Sequence, residues 1–91
     1  MSIREDLAND FASFLGKLKL NDSYGINVTK NKTFYSVTFC RARSVDGEVR
    51  IYGPKFIQIR FITAIKTLPH KVSEVFRDPQ LAKDFLKECF Q

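Results

Sequence analysis

At 91 residues, 44% of them apolar and twelve of them Phe or Tyr, the chain is expected to be one small domain, residues 1–91; this composition excludes a disordered polymer. Fifteen Lys and Arg against ten Asp and Glu leave a net charge of +5, which points to a partner carrying negative charge. Cys40 and Cys89 have no second pair to form a disulfide framework or a CxxC metal motif, so reduced thiols and no cofactor are expected.

The first residues lack a basic leader followed by an apolar run, and nowhere do eighteen apolar residues follow one another. No membrane is expected, and the compartment implied is a cytoplasm, that of a bacterial host for a phage-encoded chain, or a nucleus for a eukaryotic one. The sequons at Asn21, Asn27 and Asn31 carry no weight without a secretory route.

Residues 2 to 18 read as a helix within an N-terminal unit at 1–20. Ser2 and Glu5 have capping-box spacing, and Ile3, Leu7, Phe11, Phe14, Leu15 and Leu18 recur along one face. Asn21-Asp22-Ser23 ends it.

From Tyr24 the period shortens to two, predicting a four-stranded antiparallel sheet over 24–61. Tyr24, Ile26 and Val28 mark the first strand, and Lys30-Asn31-Lys32 its connection to the second. Tyr35, Val37 and Phe39 alternate with Phe34, Ser36, Thr38 and Cys40 in that second strand. Ser44-Val45-Asp46-Gly47 carries an Asp-Gly turn signal. Val49 and Ile51 alternate with Glu48, Arg50 and Tyr52, Gly53-Pro54 breaks the run, and Lys55 to Phe61 makes a fourth strand.

Beyond it, residues 62–90 are expected to hold a kinked helix and a C-terminal helix. Ile62, Ile65, Leu68, Val72, Val75 and Phe76 follow helical spacing interrupted by Pro69. Asp78-Pro79 is an N-cap followed by proline at the first helical position, and Leu81, Phe85, Leu86 and Phe90 form the last stripe. The fold class is therefore α+β, with extra helices at both ends.

The charge is not evenly spread. Lys30, Lys32, Arg41, Arg43, Arg50, Lys55, Arg60 and Lys66 face only Asp46 and Glu48 between residues 24 and 66, whereas each flank is close to neutral. One sheet face, Tyr24, Ile26, Val28, Tyr35, Val37, Phe39, Val49, Ile51, Ile57, Ile59 and Phe61, is apolar and is expected to take the helices. The other displays Asn27, Thr29, Phe34, Ser36, Thr38, Cys40, Arg50, Tyr52, Phe56, Gln58 and Arg60, with Lys30, Lys32, Arg41, Arg43 and Lys55 at its rims. Rings interleaved with cations suit single-stranded nucleic acid, because every base has a face to stack and phosphates need counter-charge. The competing reading packs Phe34, Tyr52 or Phe56 in a dimer interface or under the N-terminal helix.

Four strands followed by a kinked helix, with the basic excess on the strands, resemble the DNA-binding domain of the transcriptional coactivator positive cofactor four, its phage-encoded relatives in particular. The residues that carry the likeness run from about 24 to 76. Thr29-Lys30-Asn31-Lys32 resembles the family's aromatic-Lys-Gly-Lys hairpin, with Thr29 in place of the aromatic. Asp46-Gly47-Glu48-Val49-Arg50 resembles its acidic-Gly-Glu-apolar-Lys turn, and Pro54-Lys55-Phe56-Ile57-Gln58-Ile59 its Arg-Lys-Gly-Ile-Ser-Leu, with Phe56 in place of glycine. Arg41 stands where the family often has a stacking tryptophan, of which this chain has none.

The resemblance implies phosphate contacts from Lys30, Lys32, Arg50 and Lys55. It also implies a homodimer that binds single-stranded DNA with little sequence preference and works beside other replication, recombination or transcription proteins.

Catalysis is not expected. His70 is the sole histidine and lies beside Pro69; no glycine-rich phosphate loop and no metal-ligand spacing occurs. The alternative from another class is a basic module for RNA or for an acidic protein, such as a phage inhibitor of a host protein.

Overall fold

The computed structural model describes residues 3–18, 24–41, 44–62 and 72–89. Among them are two helices and five strands in the order α1 (Ile3–Lys17), β1 (Tyr24–Lys30), β2 (Tyr35–Arg41), β3 (Ser44–Gly53), β4 (Phe56–Phe61), β5 (Val72–Phe76) and α2 (Pro79–Cys89). The fold is α+β. The strands form one antiparallel sheet in chain order, β1-β2-β3-β4-β5, so every described neighbour pair is a local meander connection.

The sheet follows from the alternation. Tyr35, Val37, Phe39, Val49, Ile51, Ile57, Ile59 and Phe61 are all buried, and the register places them opposite one another: Val37, Val49 and Ile59 in one row, Tyr35, Ile51 and Ile57 in the next. Both helices lie on that inner face. Ala8, Phe11 and Leu15 of α1 and Ala82, Leu86 and Cys89 of α2 join the same core. Fully burying a side chain of Leu, Ile or Phe size contributes roughly 1.5–3 kcal/mol, so this inner layer carries most of the folding energy.

Each helix is also tied by polar contacts. The Arg4 guanidinium donates to the carbonyl of Thr33 at 2.9 Å, and the Tyr35 hydroxyl donates to Glu5 at 3.4 Å, which fixes the start of α1 at the β1–β2 hairpin. Asp78 caps α2 by accepting from the Gln80 N–H at 2.7 Å. Lys83 of α2 pairs with Asp10 of α1 and sits over the rings of Phe11 and Phe14, 5.6 and 5.7 Å from their centroids.

Four sequence expectations need correction. Residues 72–76 are not the end of a helix but a fifth strand, pairing Val72 with Phe61, Glu74 with Ile59 and Phe76 with Ile57. A short apolar run fits either period, and here the open edge of β4 decided, because an unpaired edge leaves a row of N–H and C=O groups without ladder partners. Pro69 and the predicted kink fall outside the described residues.

The Asp-Gly signal is the second correction. Residues 44–47 lie within β3, and Asp46 is the extra residue of a bulge, since Phe39 faces Gly47 while Cys40 faces Val45. Gly47 is required there: a Cβ on it would stand 2.7 Å from the Arg60 carbonyl oxygen and overlap the Phe39 ring.

The helix stripes differ in detail. Ile3 and Leu81, placed on the apolar stripes, are 64% and 56% exposed, whereas Ala8 and Ala82 are buried in their stead. Small residues let the helices approach the sheet closely. Val28, assigned to the inner face, is 40% exposed because β1 is an edge strand.

Candidate functional site

No described helix packs on the outer face, and antiparallel pairing arranges it in rows. One row runs Thr29, Ser36, Arg50, Gln58 and Val75; the next runs Asn27, Thr38, Glu48, Arg60 and Ser73. Directly opposed residues share a face, so these ten side chains are one surface.

At the end nearest the β1–β2 and β3–β4 turns lies a cluster of rings. Phe34 meets Tyr52 at 5.1 Å between centroids, and Tyr52 meets Phe56 edge-on at 5.0 Å. Two local features bring them together. The Asn31 N–H donates to the Phe34 carbonyl at 2.9 Å, which closes the first hairpin with Phe34 at its exit. A second bulge makes Tyr52 the extra residue between Ile51 and Gly53, so Tyr52 leans on Phe56 across the Pro54-Lys55 turn. Phe34 and Tyr52 are half-buried, and Phe56 is 41% exposed.

Lysines rim the same end. Lys32 lies in the first hairpin and Lys55 in the β3–β4 turn, both exposed. Lys30 is exposed at the end of β1, but it pairs with Tyr35, which belongs to the inner face; the register therefore puts Lys30 on the helix side of the rim.

The centre of the face is organised by a residue absent from the expected site. Glu48 accepts hydrogen bonds from Ser36 at 2.7 Å, from Arg50 Nε at 2.8 Å and from Arg60 at 3.0 Å, and its side chain is only 12% exposed. Burial works to raise its pKa, but the Ser36 and Arg50 hydrogen bonds and the Arg50 and Arg60 charges outweigh burial and hold the carboxyl below 4.5. Arg50 in turn lies over the Phe34 ring, with its guanidinium carbon 4.7 Å from the centroid. Burial pushes Arg50 the other way, yet hydrogen bonds with Tyr52 and Glu48 keep it charged beyond its ordinary range. The signal was present in the alternation, because Glu48 stands two residues before Arg50 and must share its face.

The remaining expected residues separate. Gln58 lies on the face but is engaged, donating to Ser73 at 2.9 Å. Arg41 ends β2 opposite Tyr24 and Ser44, at the opposite end of the strand from the rings, while Arg43 and His70 lie outside the described residues. Cys40 is half-buried; burial, and secondarily Glu88, push the Cys89 thiol up to about 11, so at neutral pH it is a core thiol and not a nucleophile. No group of three His, Cys, Asp or Glu able to hold a metal occurs among the described residues, and none of their helices is long and apolar enough to cross a membrane.

What the fold defines is a class: an antiparallel meander with its described helices on one face and a mixed aromatic and cationic face that no described helix covers. Comparison with family models, curated proteins and solved structures finds no match.

Proposed function

We propose that the outer face binds single-stranded DNA with little sequence preference, in the manner the likeness to positive cofactor four implies. One observation carries the reading: three rings, Tyr52 touching both Phe34 and Phe56, stand on a sheet face that no described helix covers, with Lys32 and Lys55 at the same end. Exposed rings are stabilised when bases stack on them, by roughly 1–3 kcal/mol per base, and lysines nearby hold the phosphates. Tyr52 and Phe56 are the stacking pair, since Arg50 already covers Phe34. A homodimer belongs to the same proposal, and sedimentation equilibrium tests it; a monomer at tens of micromolar removes that part.

The binding test is a titration of labelled oligothymidylate, duplex DNA and single-stranded RNA over a range of salt. Contacts from Lys32 and Lys55 give a slope of log affinity on log salt of about −1.4 for single strands, at ~0.7 per phosphate. Tyr52→Ala is expected to cost roughly 1–3 kcal/mol of binding without changing that slope. Equal or tighter binding to duplex or RNA, or no binding to any of the three, overturns the reading.

A further inference from the structure

We infer that Glu48 is the positioning residue that decides which cations of the outer face meet phosphate, confining those contacts to the lysines of the hairpin end. The inference rests on the reading of this face as a nucleic-acid surface. Its basis is geometric. The Glu48 carboxylate receives Arg50 and Arg60 on the same oxygen, at 2.8 and 3.0 Å, and its other oxygen receives Ser36 at 2.7 Å. Both oxygens are thus engaged by groups on three strands.

A guanidinium held by a carboxylate at these distances already has the charge-assisted contact that a phosphate would offer it. Binding phosphate there requires Arg50 or Arg60 to leave Glu48, and that exposes a carboxylate beside the incoming anion. The two central arginines are therefore electrostatically spent on Glu48, although they are the cations closest to the middle of the face. Lys32 and Lys55 lie at the turns of the hairpin end, clear of the Glu48 network at the centre. Glu48 also presses Arg50 against Phe34, so Arg50 presents a guanidinium plane and not a phosphate fork. A single strand then crosses the sheet at its hairpin end, over Tyr52 and Phe56, and does not run through the centre.

The test replaces Glu48 with its neutral isostere and reads oligothymidylate binding as a function of salt, with Glu74→Gln as the control for net charge. Glu74 is exposed on β5 and pairs with Ile59 of the inner face. Glu48→Gln frees two arginines, so affinity at 50 mM salt is expected to rise on the order of tenfold and the salt slope to steepen by ~1.4, whereas Glu74→Gln changes affinity by less than about twofold. Arg60→Gln in the otherwise unaltered protein is expected to leave the slope within about 0.3, because Arg60 makes no phosphate contact there; in the Glu48→Gln background it should make the slope shallower by ~0.7.

A Glu48→Gln protein that binds no more tightly than Glu74→Gln overturns the inference. So does an Arg60→Gln protein whose slope is shallower by ~0.7 in the presence of Glu48, a measurement that does not depend on Glu48→Gln folding. The Lys32→Ala/Lys55→Ala pair separates the two levels. If that pair weakens binding while Glu48→Gln does not strengthen it, only the role of Glu48 fails; if the pair leaves binding unchanged, the nucleic-acid reading of the hairpin end fails with it.

Discussion

The two faces of the sheet are built from the same strands and solve opposite problems. On the inner face, Val37, Val49, Ile51, Ile57 and Ile59 are fully buried and interchangeable in chemistry; their contribution scales with area removed from water and with packing. On the outer face, Ser36, Glu48, Arg50 and Arg60 are specific in direction as well as place, because each hydrogen bond depends on donor and acceptor angles. The inner face therefore sets stability, and the outer face sets what the surface offers a ligand. Substitutions divide accordingly.

The largest effect belongs to the inner face. Phe39 is fully buried and meets Phe61 edge-on at 5.6 Å, so Phe39→Ala is expected to cost about 3–5 kcal/mol in urea unfolding. A loss below about 1 kcal/mol would show that the inner face is not the core. Gly47→Ala probes the same place from the strand opposite. Its methyl group has a backbone carbonyl 2.7 Å away and cannot be accommodated by a rotamer change alone, which predicts a loss of ~1–3 kcal/mol. An unaltered melting temperature would mean that the bulge at Asp46 relaxes freely.

Glu48 sharpens the comparison because its role is structural yet belongs to the outer face. Its folded pKa is lowered, so its stabilisation is present above the unfolded value near 4.5 and is lost as pH falls through the folded value. Glu48→Gln should then cost ~1–3 kcal/mol at pH 7, and the gap to the parent protein should close as unfolding is followed from pH 6 down to pH 3. A gap that stays constant over that range would remove the carboxylate charge from the account.

The smallest effect on folding is expected at the lysines. Lys32 and Lys55 are exposed, and their joint replacement by Ala should change unfolding free energy by no more than ~0.5 kcal/mol each. The same variant should lose most of its affinity for single strands, in contrast to the inner face, where a change lowers stability and leaves affinity per folded molecule intact. A large fall in melting temperature would make these lysines part of the fold and break the division between faces.

Much of the division was legible in the residues themselves. The alternation of Tyr35, Val37 and Phe39 and of Ile57, Ile59 and Phe61 marks one face, and the Asp78-Pro79 cap marks the start of α2. Glu48 was legible only in part. Its alternation with Arg50 placed both on one face, but that Arg60 arrives from β4 and Ser36 from β2 onto the same carboxylate depends on register. Tyr52 and Phe56 were placed on the outer side by alternation, whereas their contact with each other depends on the bulge between Ile51 and Gly53.

Period, capping and the location of the charge are local properties, and the sequence by itself determined them: two amphipathic helices, the order of the first four strands, an apolar face and a basic excess confined to the strands. Tertiary structure alone decided the rest. Residues 72–76 became a strand because β4 needed an edge partner, and Asp46 entered β3 as the extra residue of a bulge that sets Gly47 opposite Phe39, where a Cβ would overlap the ring. Arg50 and Arg60 lost their availability to Glu48 for the same kind of reason. Each outcome rests on a pairing between segments distant along the chain, whose free energy comes from contacts that no short stretch of sequence contains.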